Sequence, residues 1–510
     1  MHPAFHSTSV RAALMLGAAA IVIINSIPST GGTRSPADDP AIEAYLDAQI
    51  ADAGYPGVSI AVIRDGVVSD VRGIGTADAT GRPVTTETPF VIGSLSKSLT
   101  ALAVMRLVDS GLIELDAPVT RYLPDFRTAA ADPTPITVRQ LLDQTSGLPG
   151  SASGLGTPVT TLRDQIASLA TVEPASVPGA RYGYANANYV VLGGVIESAT
   201  ALPYADAMKA LVFDPLGMTG TTADLATAQA LGLGDSHRIW FGIPTAHTPL
   251  FRPDLVPAGF IASTAADLAK PMEMLLAGGR IGDRRFLSTG GVAALTTGGP
   301  ATGLGDARYG MGWVVGTHNG HATVSHDGST TDMAAFQGFD PASRDGIVVL
   351  GNAQAIPYEL LGKIDTIGFG ALDLMLGREP SGTLERFYVV IDVGLIVILL
   401  MMVRGHLRLA RRVSRREGPG STGRLRRLAG VVLHGYLDVI VPVFLLLRVP
   451  AALAAPWPTL VRADVGLVLA VFIALRLTGG ALRATGWWRA GRRPVWTAVG
   501  PEAASAAAAG

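Results

Sequence analysis

The chain divides by the rhythm of its apolar positions. "DDPAIEAYLDAQIADAGYPG" sets Ile42, Tyr45, Leu46 and Ile50 at helical spacing, with Pro40 suited to a first turn and Gly54 to the stop. "GVSIAVIRDGVVSDVRGIG" then gives two β-rich runs around Asp65-Gly66, a hairpin signature. Helix, strand, strand predicts an antiparallel sheet with a helix packed on it. After the turn-rich "TADATGRPVTTETPF", the stretch "KSLTALAVMRLVDSG" predicts an amphipathic helix closed by Gly111. Residues 112–250 mix short helices with many loops. Then "GMGWVVGTH", "ATVSHDG", "MAAFQGFD" and "DGIVVLGN" come as successive strands. The sheet is therefore expected to come from the two ends of a domain at 30–385, with a helical insertion between them: an α+β fold.

Unbroken apolar runs mark both ends of the chain. "AALMLGAAAIVII" has the length of a signal-peptide h-region, so residues 1–29 read as a cleaved signal peptide or an uncleaved signal anchor; either exports the domain behind it. Residues 30–38 read as a linker. The rear holds runs at 387–403, 428–447 and 465–480. The first two are long enough to span a hydrocarbon core of ~30 Å as helices, and the third is marginal. The loop 404–427 between the first two carries nine arginines and one acid, Glu417, which predicts a cytoplasmic location. The basic "RATGWWRAGRRPVW" after the third run points the same way. Region 386–496 is thus expected to hold three transmembrane helices, with 30–385 outside the membrane and 497–510 a disordered tail. Asp392, His434 and Asp438 fall inside these runs; Asp392 sits near the outer end of its run, and His434 and Asp438, four apart on one face, are read as pairing inside the bundle or with Arg476 rather than as a proton pathway.

Charge sharpens this division. At 510 residues the chain exceeds one ordinary domain, and its net charge of −1 conceals two unlike parts. Residues 1–385 carry a balance of −13 and residues 386–510 a balance of +12. The acidic front part argues against a nucleic-acid partner. Cysteine is absent, which excludes disulfides and thiolate metal sites.

The basic residues hold one anomaly. The chain has four lysines against thirty-six arginines, yet "FVIGSLSKSLT" places Lys97 three residues after Ser94 at an expected helix start. Residues i and i+3 share a helix face, which brings hydroxyl and amine within hydrogen-bond reach. Serine is a weak nucleophile until a neighbour takes its proton. Arginine cannot take it, whereas a lysine with a lowered pKa can. The plain alternative is a helix-capping serine followed by a solvated lysine.

Further stretches add to this pair. "PGARYGYANANYVVLGGVIE" contains Tyr184-Ala185-Asn186, and "ATVSHDGSTTDM" contains His326-Asp327-Gly328. The order S-x-x-K, Y-x-N, H-x-G resembles the serine β-lactamase and penicillin-binding-protein family, in its branch of class C β-lactamases, D-aminopeptidases and related esterases. "ITVRQLLDQTSGLPG", "PAGFIASTAADLAK" and "YGMGWVV" also look like that branch, and the resemblance covers about residues 40–375. It implies a β-lactamase/transpeptidase-like fold with an antiparallel sheet, flanking helices and a helical subdomain. It implies Ser94 as the acylated nucleophile and Lys97 and Tyr184 as the groups that exchange its proton. Asn186 would hydrogen-bond substrate and Lys97, and the backbone N–H groups of Ser94 and Ser329 would form an oxyanion hole. Gly328 would leave a strand edge free for substrate. No metal and no cofactor are implied.

One position departs from the penicillin-reactive members, whose third motif begins with lysine. His326 stands there, and a histidine is largely neutral at pH 7. It resembles the esterase, peptidase and transferase relatives, or it is a packed strand residue with its hydrogen bonds satisfied. The reading is an exported, membrane-anchored serine hydrolase or acyltransferase on peptide or ester substrates, D-amino-acid peptides of cell-wall type first. A peptide cyclase of the same family and a non-catalytic acyl-binding sensor signalling through the membrane helices are the rival readings.

Overall fold

The computed structural model describes residues 40–130, 134–153, 161–240, 243–354 and 363–380, with scattered residues of 393–411 and 474–478. The expected signal segment 1–29, linker 30–38, membrane run 428–447 and tail 497–510 lie outside the described residues, as do most of 387–427 and 465–480. Within 393–411, residues 400–405 are helical, and no helix among the described residues is long and apolar enough to cross a membrane.

Helix α1, Pro40–Ala53, buries Ile42, Leu46 and Ile50, and Gly54 ends it at φ +70°. Strands β1, Gly57–Arg64, and β2, Val67–Gly75, follow as a hairpin. Its corner is Asp65-Gly66, with φ of 53° and 82°, the doubly positive turn that matches strand twist. Helix α2, Ser96–Asp109, and helix α3, Asn186–Thr200, dominate the middle of the chain, with α4, Ala265–Leu276, after them. Strands β3, Arg308–Gly310, β4, Trp313–His318, β5, His321–Ser329, β6, Ala334–Phe339, and β7, Gly346–Gly351, complete the sheet, and α5, Lys363–Met375, returns across it.

The seven strands run in the order β2-β1-β7-β6-β5-β4-β3, and the paired neighbours are antiparallel. The join between the two ends of the domain is β1 against β7, with Val58 opposite Gly351 and Val62 opposite Ile347. Both faces of this join are covered, so β1 and β7 are buried along nearly their whole length. Val58, Ile60, Val62, Ile347 and Val349 pack with α1 and α5. Ala61, Ile63, Val348 and Leu350 lie on the other face, against α4, in the larger cluster that also takes in α2 and α3. Two helix glycines let α5 seat closely: a side chain at Gly368 would overlap the Phe336 ring, and one at Gly370 the Tyr45 hydroxyl.

The expectation of an amphipathic α2 is corrected. Every residue from Ser96 to Leu107 is buried except Arg106. The helix lies inside the largest apolar cluster, between the sheet and the insertion, so its Ala, Ser and Thr positions serve close packing rather than solvent.

Candidate active site

The turn before α2 carries the candidate nucleophile. Phe90 and Val91 pair with Ser263 and Ala262, and the Ile92 N–H donates to the Ile261 carbonyl at 3.0 Å. Gly93–Leu95 then forms a 3₁₀ turn, and Ser94 lies in it rather than in the first turn of the α-helix. Ser94 occupies neither helix cap, and neither cap makes a side-chain hydrogen bond.

Two glycines press this turn against β5. Gly93 adopts φ +54°, and a β-carbon there would run into the Ser329 backbone nitrogen. A β-carbon at Gly328 would meet the Ile92 carbonyl oxygen and the Leu95 side chain. Gly328 also lets β5 approach the Ser94 turn. β4 pairs with β5 only as far as Ser325, so 327–329 pair with β6 alone.

Lys97 is 0 % exposed, so the capping-and-solvated alternative does not describe it. Its Nζ donates to Ser94 Oγ at 2.9 Å, Asn186 Oδ1 at 2.7 Å and the Ala258 carbonyl at 2.6 Å. It also stands 4.8 Å from the centre of the Tyr184 ring. Burial pushes its pKa down to about 7, against a smaller upward pull from the Asp327 carboxylate. Both protonation states are then populated near neutrality. The ammonium satisfies three acceptors. The neutral amine keeps N–H bonds to Asn186 and Ala258 and turns its lone pair toward Ser94.

Tyr184 donates to the same Ser94 Oγ at 2.9 Å. Burial, reinforced by Tyr309, holds its phenol well above the ordinary range, so it is a neutral donor in the resting site. The loop that presents it is fixed by Gln144, itself at φ +58°. Gln144 Oε1 accepts from the Ala185 N–H at 3.0 Å and from Asn188 Nδ2 at 2.5 Å. Asn186 opens α3, so the strand-like Ala185 and the helix start aim Tyr184 and Asn186 at one point.

His326 is packed and fully bonded. It is 3 % exposed, and its Nδ1 lies 2.6 Å from the Asp327 carbonyl and its Nε2 3.2 Å from the Tyr309 hydroxyl. A carbonyl can only accept, which assigns the proton to Nδ1 and leaves Nε2 to accept from Tyr309. Burial lowers its pKa, so the ring is neutral. Ser329 Oγ accepts from Gln354 Nε2 at 3.1 Å and donates to the Thr330 carbonyl at 3.2 Å.

Ser94, Lys97, Tyr184 and Asn186 therefore converge on one hydrogen-bonded cluster, with His326, Gly328 and Ser329 on the adjoining strand. Sequence reasoning did not single out the Ala258 carbonyl, Gln144 or Tyr309. All three lie in stretches already noted, Gln144 in "LLDQTSGLPG", Tyr309 in "YGMGWVV" and Ala258 in "PAGFIASTAADLAK", but a backbone carbonyl leaves no residue signature.

A family model described as Beta-lactamase matches residues 42–361. The chain is 37 % identical to Esterase EstB of Burkholderia gladioli over 194 residues, which are 35 % of this chain and 49 % of the esterase. It thus spans about half the length of that relative. It is 28 % identical to Penicillin-binding protein 4 of Amycolatopsis lactamdurans over 325 residues, 60 % of this chain and 84 % of that one. Among solved structures, the octameric penicillin-binding protein homologue from Pyrococcus abyssi superposes with a TM-score of 0.60 at 28 % identity, covering 67 % of this chain and 78 % of that one.

Proposed function

The chain belongs to the beta-lactamase family, and on that premise we propose that it is a serine acyl hydrolase working through an acyl-enzyme on Ser94. The observation that carries this is the paired approach to one oxygen: Lys97 Nζ and Tyr184 OH each lie 2.9 Å from Ser94 Oγ, and the amine is buried with its pKa near 7. As Ser94 Oγ attacks the substrate carbonyl, the neutral Lys97 takes the hydroxyl proton. The resulting ammonium is held by Asn186 Oδ1 and the Ala258 carbonyl. The proton then passes, through Lys97 or Tyr184, to the departing alcohol or amine. Water attacks the acyl-serine in the second half, and the same groups receive its proton. The backbone N–H groups of Ser94 and Ser329, brought close by Gly93, serve the oxyanion.

The substrate class is argued from His326. A buried neutral imidazole offers no fixed cation to a substrate carboxylate, so esters and peptides suit the site better than anionic β-lactams. D-Amino-acid peptides of cell-wall type stand first, supported by the family and by the expected export. The arginine-rich loop 404–427 and the apolar runs around it support a catalytic domain held outside the cytoplasmic membrane.

The test is active-site labelling of the full chain with a fluorophosphonate, read by mass spectrometry, in wild type, Ser94→Ala and Ser96→Ala. Ser96 Oγ accepts from the Ile261 N–H at 3.1 Å, a packing role. Label on Ser94 in wild type and Ser96→Ala, and none in Ser94→Ala, is expected. An adduct that survives Ser94→Ala would overturn the assignment.

A further inference from the structure

One charged side chain beside the site has no part in the proton transfers. Asp327 sits between buried His326 and buried Gly328 on β5, and its side chain is 58 % exposed. It lies where β4 has already left β5, so no strand covers that edge. Its Oδ1 is 3.8 Å from His326 Nδ1, and the His326 ring stands 6.3 Å from the ring of Tyr184, whose hydroxyl holds Ser94. Its carboxylate acts electrostatically on four groups: it partly opposes the burial that lowers the pKa of Lys97 and His326, and it adds to the burial that raises the pKa of Tyr182 and Tyr184. Among the described residues it makes no ion pair with a lysine or arginine, and its imidazole neighbour is neutral. Among the described residues, the strand edge beside the Ser94 cluster thus carries a negative charge with no lysine or arginine paired to it.

We propose that Asp327 sets the charge specificity of the site: its carboxylate favours acyl substrates with a cationic group, a free amine, beside the scissile carbonyl and disfavours those with a carboxylate there. The inference rests on Ser94 as the acylated residue and adds the electrostatics that select among its substrates. A half-exposed charge a few ångströms from an ionic substrate group changes binding by roughly tenfold in each direction. The effect shrinks as salt screens it. His326 and Asp327 then act together: the first withholds the cation that an anionic substrate needs, and the second repels that substrate.

The experiment uses the purified full chain and three probes, D-alanine p-nitroanilide, its N-acetyl derivative and its N-succinyl derivative. The readout is the ratio of kcat/KM for the cationic probe to that for the anionic one, which does not depend on the folded fraction. Wild type is expected to favour the cationic probe by at least tenfold, less at high salt. Asp327→Asn should bring the ratio near unity, Asp327→Lys should invert it, and Asp327→Glu should keep it. No preference in wild type, an unchanged ratio in Asp327→Asn, or equal loss in Asp327→Asn and Asp327→Glu would overturn the proposal. Cleavage of the neutral probe by wild type separates the two readings: its absence together with unlabelled Ser94 counts against the hydrolase, not against Asp327.

Discussion

Lys97 Nζ lies 2.9 Å from Ser94 Oγ at the buried end of a side chain that is 0 % exposed. A solvated lysine at that distance would stay an ammonium and could only donate. Burial removes the hydration that stabilises the charge, and that makes the amine a proton acceptor at working pH.

Arginine at this position keeps the charge and loses the chemistry, because guanidinium does not deprotonate. Lys97→Arg is therefore expected to be as damaging as Lys97→Ala. General base catalysis contributes 10²–10⁴-fold, so each should lose roughly that much. The measurement is the acylation rate with a reactive ester at matched folded fraction. An arginine variant within a few-fold of wild type would remove Lys97 from proton transfer.

The pH profile gives a second check. The working form of Lys97 is neutral, and its pKa is lowered to about 7. Acylation of a non-ionisable ester should rise as pH rises through about 7 and fall away below it. Asn186 Oδ1 lies 2.7 Å from Nζ, so Asn186→Asp sets a carboxylate against the ammonium and favours the charged form. The acid limb should then move upward by about 1–3 pH units. A limb that stays in place in Asn186→Asp would show that another group controls it.

Gly328→Ala tests the close approach of β5 to the Ser94 turn. The added methyl meets the Ile92 carbonyl and Leu95, atoms that cannot swing aside freely. Overpacking of this kind costs about 1–3 kcal/mol, and it also pushes Ser329 from Gly93. Both the melting temperature and the acylation rate should drop. Gly290→Ala is the control, since its β-carbon would touch only Ser288 Oγ at 3.9 Å, within the helix 289–296. It should leave both nearly unchanged or raise stability slightly.

The proposed orientation is checked in intact cells. Protease added outside should degrade the 30–385 domain and spare an epitope placed in loop 404–427. Cleavage confined to the loop would reverse the topology.

The elements that could be read from the sequence are those with local causes. Asp65-Gly66 reads as a hairpin because two residues with positive φ are needed there, and the pair that tolerates it is adjacent in the chain. The strands 313–318, 321–329, 334–339 and 346–351 were legible for the same reason, in apolar runs broken by turn residues. The character of α2 was misread because small residues look polar in a pattern, yet serve close packing when a helix is enclosed.

By itself, the sequence determined six of the seven sheet strands, the hairpin, the family motifs and the unusual lysine, all of which depend on residue type and short spacing. Only the tertiary structure decided what that lysine can do. Its third partner is a carbonyl 161 residues away, the loop that aims Tyr184 is held by Gln144, and the turn reaches β5 through two facing glycines. Every residue carries a carbonyl, so no pattern singles out Ala258. A lysine's pKa depends on the water it has lost, and that is settled by packing, after the distant parts of the chain have closed over it.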